Sequence, residues 1–160
     1  MGFNYNDTIF QIKNKIFTKK YSQIFIIGAN SDADQQEYQK TLIAQTPKDI
    51  LIVSLAPCRS DSENVVSVNG CFDSYALLKL SEDINTITNL KKTIFVQYCG
   101  RHTVSSMIHL SLFNNTNVYL GKCSPMIINP TLISFISKNF GIKEMTTVKK
   151  DLECILNDIN

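Results

Sequence analysis

No stretch of the sequence approaches the roughly 20 consecutive apolar residues that a membrane-spanning helix requires, and neither sign of charge is in marked excess, with 16 Lys and Arg against 14 Asp and Glu. The basic residues are scattered apart from the pairs Lys19-Lys20, Lys91-Lys92 and Lys149-Lys150. There is thus no electrostatic footprint for nucleic acid. The N-terminus shows neither the charged nor the apolar region of a secretory signal, and Asn6 stands where a myristoylation motif needs Ser or Thr. The expectation is a cytoplasmic protein in a reducing compartment, with no nucleic-acid partner and no membrane. Five cysteines, an odd number without an export signal, argue against a disulfide framework and leave free thiols or metal ligands. No Cys-x-x-Cys pair, linker, low-complexity tract or internal repeat interrupts the chain. At 160 residues and 44% hydrophobic content it has enough apolar material for one sizeable core.

The patterns that are present alternate. Asp7 is placed to cap a helix through about Lys19, with Ile9, Ile12 and Ile16 on one face. Gln23 to Ile27, closed by Gly28, reads as a strand, followed by a helix over Ala33 to Gln45. Asp49 to Leu55 is a nearly continuous apolar run, as expected of a strand covered on both faces, and Val65 to Val68 is a shorter one. A helix over Asp73 to Leu80 precedes a strand over Thr93 to Tyr98. The next helix carries Val104, Met107, Ile108 and Leu112 on one face, before a strand at Val118 to Leu120. Pro130 opens a helix with the stripe Leu132, Ile136 and Phe140, Gly141 closes it in the left-handed conformation, and a last helix runs from Thr147 to Leu156. Strands alternating with helices predict a single α/β domain over 1–160. It is an open three-layer, mainly parallel sheet of Rossmann-like layout, with an N-terminal helix over 1–20 and a core over 23–156.

In such sheets ligands bind beyond the carboxyl ends of the strands. Cys58, Cys71, Cys99 and Cys123 all follow predicted strand ends, whereas Cys154 falls inside the last helix and reads as core. Thiolates gathered on one edge can hold zinc or an iron-sulfur cluster. Cysteine near strands is also commonly a small buried hydrophobe, and the spacing alone favours that reading. Cys99-Gly100-Arg101-His102 places a thiol beside Arg and His at a helix start, the setting of an activated nucleophile. No orienting carboxylate accompanies it, so a surface pair at a helix start is the commoner outcome. Zinc on Cys58, Cys71, Cys99 and His102 is a further sulfur-rich possibility. His109 reads as a packing or surface residue. Gly28-Ala29-Asn30-Ser31-Asp32 lacks the glycines and lysine of a dinucleotide or P-loop fingerprint and reads as an ordinary turn.

From about Gln23 to Leu156 the residues resemble a known family. Leu120-Gly121, Pro125, Asn129-Pro130, Asn139-Phe140-Gly141-Ile142-Lys143, Thr146-Thr147 and Asp151-Leu152 follow one another like the landmarks of the C-terminal domain of hybrid-cluster protein. This family, also called hydroxylamine reductase or prismane protein, is related to nickel-iron carbon monoxide dehydrogenase. Pro47-Lys48-Asp49 with Cys58, and Cys71 with Asp73 and Tyr75, are similar to two segments that deliver cluster cysteines. The resemblance thus implies Cys58 and Cys71 as cluster ligands. Asn30 stands where the family places its persulfide-bearing cysteine. Gln97-Tyr98-Cys99-Gly100-Arg101 stands where the family has Trp-Tyr-Glu-Gln-Lys, putting Cys99 in place of a glutamate ligand and Arg101 in place of a lysine across a one-residue gap.

The family's N-terminal cluster and its middle domain, which supplies a His and a second Glu, have no counterpart here. What the resemblance implies is a separate or truncated oxidoreductase domain that contributes part of a hybrid iron-sulfur-oxygen cluster for reduction of hydroxylamine or related nitrogen oxides, completed by a second chain. The alternatives are a non-catalytic binding or assembly domain, with the cluster incomplete or absent, and a zinc domain. On either redox reading Cys58 and Cys71 are expected to meet at the carboxyl edge with Asn30 beside them.

Overall fold

Runs of β-branched and aromatic residues between helical stretches, with few glycines to interrupt them, build one layered sheet. The computed structural model describes residues 5–28, 33–55, 62–68, 74–96, 103–121 and 129–158. In chain order the elements are α1 (Tyr5–Thr18), β1 (Gln23–Ile27), α2 (Ala33–Gln45), β2 (Ile50–Ser54), β3 (Val65–Ser67) and α3 (Ser74–Ile87). They continue with β4 (Lys91–Val96), α4 (Thr103–Ser111), β5 (Thr116–Leu120), α5 (Pro130–Phe140), β6 (Lys143–Glu144) and α6 (Val148–Asn157). All six strands run parallel in the order β3-β2-β1-β4-β5-β6. This is the doubly wound order, and the expected open, three-layer α/β class is what the chain adopts.

The two faces of the sheet are filled by different helices. Ile24, Ile26, Leu51, Val53, Ile94, Val96, Val118 and Leu120 pack on one face with Ile12 of α1, Leu80 and Ile84 of α3, Met107 and Leu110 of α4, and Ile133 and Ile136 of α5. On the other, Phe25, Ile27, Ile50, Ile52, Phe95 and Tyr119 pack with Leu42 of α2 and Val148, Leu152 and Ile155 of α6. β1 and β2 are buried at every position, because a parallel sheet covered on both sides has no solvent face. From β1 to β2 the chain moves one way across the sheet over α2, and from β3 to β4 and on to β5 it moves the other way over α3 and α4. Opposite directions on opposite faces give crossovers of one hand, the right-handed rule for parallel strands.

Several expectations need correction at this level. α1 is already helical at Tyr5, so Asp7 lies in its first turn, where its charge still complements the helix dipole. α3 runs on to Ile87, and β4 begins two positions early, at Lys91. Leu112 falls beyond the end of α4 and is 68% exposed, with Leu110 buried instead. In α5 the buried pair is Ile133 and Ile136, and Leu132 faces outward. Cys154, expected in the core, is exposed, because the buried stripe of α6 runs through Val148, Leu152 and Ile155 and leaves it on the solvent side. The two-residue β6 was not anticipated; its pattern is too short to read.

The α2/α6 layer is joined by a polar contact on the buried carboxylate of Asp151. The Tyr38 hydroxyl of α2 donates to Asp151 Oδ2 of α6 at 2.6 Å, and the same carboxylate accepts from the Thr146 backbone N–H at 3.0 Å and from Thr146 Oγ1 at 2.7 Å. Asp151 is 3% exposed. Burial, then the bond to Asp151, pushes the Tyr38 hydroxyl well above the ordinary tyrosine range. Removing the acceptor breaks all three of these bonds, which costs more than removing one donor from a multiply bonded acceptor. Asp151→Ala is therefore expected to destabilise by about 3 kcal/mol and Tyr38→Phe by about 1 kcal/mol, read from urea unfolding midpoints at unchanged slope.

Lys92 of β4 is 1% exposed, and burial holds its ammonium pKa below the ordinary value of 10.5. The folded state thus binds this proton less tightly than the unfolded state. The penalty is full below the folded pKa and fades as pH rises to the ordinary lysine value. Lys92→Met is expected to be more stable than the parent near neutral pH, by a margin that narrows as pH approaches that value in unfolding curves taken in chloride buffers.

Candidate functional site

Because all strands run the same way, their carboxyl ends form one edge. The ladder there continues one residue past the strands: Gly28 donates to Phe95 O at 2.8 Å, Leu55 to Ile27 O at 2.9 Å, Val68 to Ser54 O at 2.8 Å and Gly121 to Val96 O at 2.8 Å. The chain leaves this edge at Val68, Leu55, Gly28, Val96 and Gly121, in spatial order across the sheet. Neighbouring strands of a sheet lie about 4.8 Å apart. The winding direction reverses between β1 and β4, the switch point where open sheets of this class form their ligand crevice.

The candidate residues follow these exits in sequence: Asn30 after Gly28, Cys58 after Leu55, Cys71 after Val68, Cys99, Arg101 and His102 after Val96, and Cys123 after Gly121. All of them, and with them the expected meeting of Cys58 and Cys71, lie outside the described residues. So does the turn from Ala29 to Asp32. Among the described residues no group of three or more His, Cys, Asp or Glu side chains is gathered as a metal site.

What the described residues supply is the support beneath that edge. Ser54 and Ser67 are register partners at the ends of β2 and β3. Gln39 of α2, 2% exposed, donates its amide to Ser54 Oγ at 2.8 Å, tying helix to strand just before the chain turns toward Cys58. Ser67 Oγ is buried with no hydrogen-bond partner among the described residues. Sequence reading missed this pair, although a Gln on the inner face of α2 opposite a Ser ending an apolar strand is its signal. His109 is exposed at the end of α4 and meets Phe113 edge-on at 5.4 Å, the surface role expected of it.

The residues that carried the family resemblance have local folding roles. The Asn129 side chain accepts from the Thr131 and Leu132 N–H groups at 3.1 and 3.2 Å, and Pro130 occupies the first turn of α5, where no N–H is needed. Gly141 ends α5 at φ +65° and donates to Ser137 O at 3.0 Å. Thr147 caps α6, and Asp151 receives the Thr146 contacts. These landmarks therefore shape the segment from β5 to α6 and are not themselves donors at the strand exits.

Fold and edge together define a doubly wound, all-parallel α/β domain whose candidate donors follow the strand exits in sequence. No family model matches the chain. It is nevertheless similar over most of its length to proteins named hydroxylamine reductase. It is 23% identical to that of Yersinia pseudotuberculosis over 171 residues, covering 96% of this chain and 30% of the relative. It is 26% identical to that of Thermodesulfovibrio yellowstonii over 154 residues, covering 86% and 29%. To that of Kosmotoga olearia it is 27% identical over 179 residues, covering 98% and 32%. The chain thus spans under a third of the length of these curated relatives. Among the described residues no helix is long and apolar enough to cross a membrane.

A Cβ at Gly141 would meet nothing within 4 Å, so its requirement is conformational. Gly141→Ala is expected to lower stability by about 1 kcal/mol while leaving metal content unchanged, as measured by chemical denaturation and elemental analysis of the same preparation.

Proposed function

We propose that this chain is a hybrid-cluster-type redox domain that contributes Cys58, Cys71 and Cys99 to an iron-sulfur site, with the remaining ligands supplied by a second chain. The observation that carries the reading is the likeness to hydroxylamine reductases over nearly the whole chain but under a third of their length. The architecture supports it: the four segments bearing Cys71, Cys58, Asn30 and Cys99 follow four adjacent strands, β3, β2, β1 and β4, on one edge. Three soft sulfur donors suit iron-sulfur or zinc chemistry, whereas the neutral amide of Asn30 is a hard, weak donor. The donor set therefore fits a shared sulfur-ligated site and does not by itself complete a hybrid cluster. When bound, such a cluster would supply electrons for reduction of hydroxylamine or a related nitrogen oxide, and a reducing cytoplasm would keep the thiols available as ligands.

Asn30 also favours a second reading, a domain of this fold that binds or assembles without catalysis. Anaerobic purification followed by elemental analysis and visible absorption separates the two. The proposed reading expects iron and sulfide, with metal content falling on Cys58→Ser, Cys71→Ser and Cys99→Ser. It also expects no hydroxylamine turnover with a reduced dye by these 160 residues alone, and turnover when a chain carrying the rest of the relatives' length is added. Zinc that is lost on His102→Ala would replace iron-sulfur by a zinc site on Cys58, Cys71, Cys99 and His102. Metal-free protein with intact thiols would leave the non-catalytic reading, and robust turnover by the chain alone would refute the need for a second chain.

A further inference from the structure

At the opposite, amino edge of the sheet the structure holds a pocket of about 330 Å³. Asn85 and Asn89 line it from the end of α3 and the turn after it, and Asn114 and Asn115 from the turn between α4 and β5. Leu112 and Phe113 add an apolar wall, and Lys92 lines it from β4. Lys92 is the one lining residue that is buried; the others are half-buried or exposed.

We propose that this pocket binds a small oxyanion, a phosphate or carboxylate group, with Lys92 as its counter-charge and the asparagine amides as donors. A buried ammonium requires a partner, because desolvation without a compensating charge is costly. Lys92 Nζ donates to Leu90 O at 2.9 Å, a neutral acceptor that leaves the charge uncompensated, and an ammonium carries three donors. Burial is what lowers its pKa, and among the described residues no carboxylate acts on it to offset that. An asparagine amide carries two N–H donors, one of which Asn115 gives to Asn89 O, and among the described residues no acidic side chain lines the pocket. That combination selects an anion over a cation.

The turn that carries Asn114 and Asn115 is held in a defined shape. Asn115 adopts φ 56°, the left-handed region that asparagine tolerates better than other side chains. Its carbonyl accepts the Lys92 N–H at 2.8 Å, and its Nδ2 donates to Asn89 O at 3.3 Å, joining the two asparagine-bearing turns across the mouth of β4. The volume lies at the small end of ligand pockets, enough for a metabolite-sized oxyanion.

The test is a titration of the full chain with inorganic phosphate, with acetate as the carboxylate arm and chloride as the control, at constant ionic strength. Binding is read from the shift in unfolding midpoint and from the side-chain amide NMR resonances of Asn85, Asn89, Asn114 and Asn115. Phosphate or acetate is expected to raise the midpoint in a saturable way and to move those resonances, and the stronger of the two identifies the oxyanion class. Lys92→Met, which keeps the side-chain bulk, should weaken that binding by at least about tenfold, the loss of one charge-assisted contact. Asn89→Asp, at an exposed position, should do the same by placing a carboxylate on the wall, and it serves if Lys92→Met does not fold. Equal responses of parent and variants, or no response beyond that to chloride in either anion arm, would overturn the proposal.

Discussion

A parallel sheet imposes two demands at once: apolar cover on both faces, and strands that all leave by the same edge. The rest of this molecule follows from meeting them. Cover is divided between α1, α3, α4 and α5 on one side and α2 and α6 on the other, so β1 and β2 are buried throughout and carry no polar alternation. The common exit gathers five chain segments at one side of the sheet, although in sequence they are spread from Gly28 to Gly121. Chemistry that needs donors from distant parts of the chain is possible here only because the helices return the chain to the opposite edge each time.

The two edges then divide the labour. The carboxyl edge is braced by neutral contacts such as Gln39 to Ser54, which fix the strand ends without competing for a metal or an anion. The amino edge carries Lys92, the one buried lysine among the described residues, in a pocket lined by amides. The landmark residues of the segment from β5 to α6 serve neither edge directly. Asn129, Gly141, Thr147 and Asp151 start, stop and anchor helices, so likeness at these positions is likeness of fold.

Much of the architecture was legible because its signals are local. The apolar run around Ile50 to Ser54, the Pro130 and Gly141 boundaries of α5 and the strand Gln23 to Ile27 each carry their pattern within a few residues. The misreadings at Leu132 and Cys154 share a cause: a residue one step off a helical stripe looks apolar enough to belong to it, and only the direction of the neighbouring layer decides, whereas Leu112 falls past the end of its helix. The pairing of Tyr38 with Asp151 spans 113 positions and leaves no periodic trace, and the burial of Lys92 depends on two turns folding over a strand start. Of the candidate site, the strand exits were readable from sequence, since a strand followed by a helix fixes which end carries the connection. Cys58, Cys71 and Cys99 come after those exits in sequence and outside the described residues, where strand and helix periodicity carries no information.

The flanks of the sheet have a consequence for how anything could join it. β3 offers three residues and β6 only two, Lys143 and Glu144, both charged and exposed. Borders this short, with β6 also charged, give an incoming strand little backbone to pair with, a common protection against edge-to-edge aggregation. Recruitment by β-augmentation is therefore disfavoured. Another polypeptide would have to dock through side chains, on the helical layers or beyond the strand exits, and not by extending the sheet.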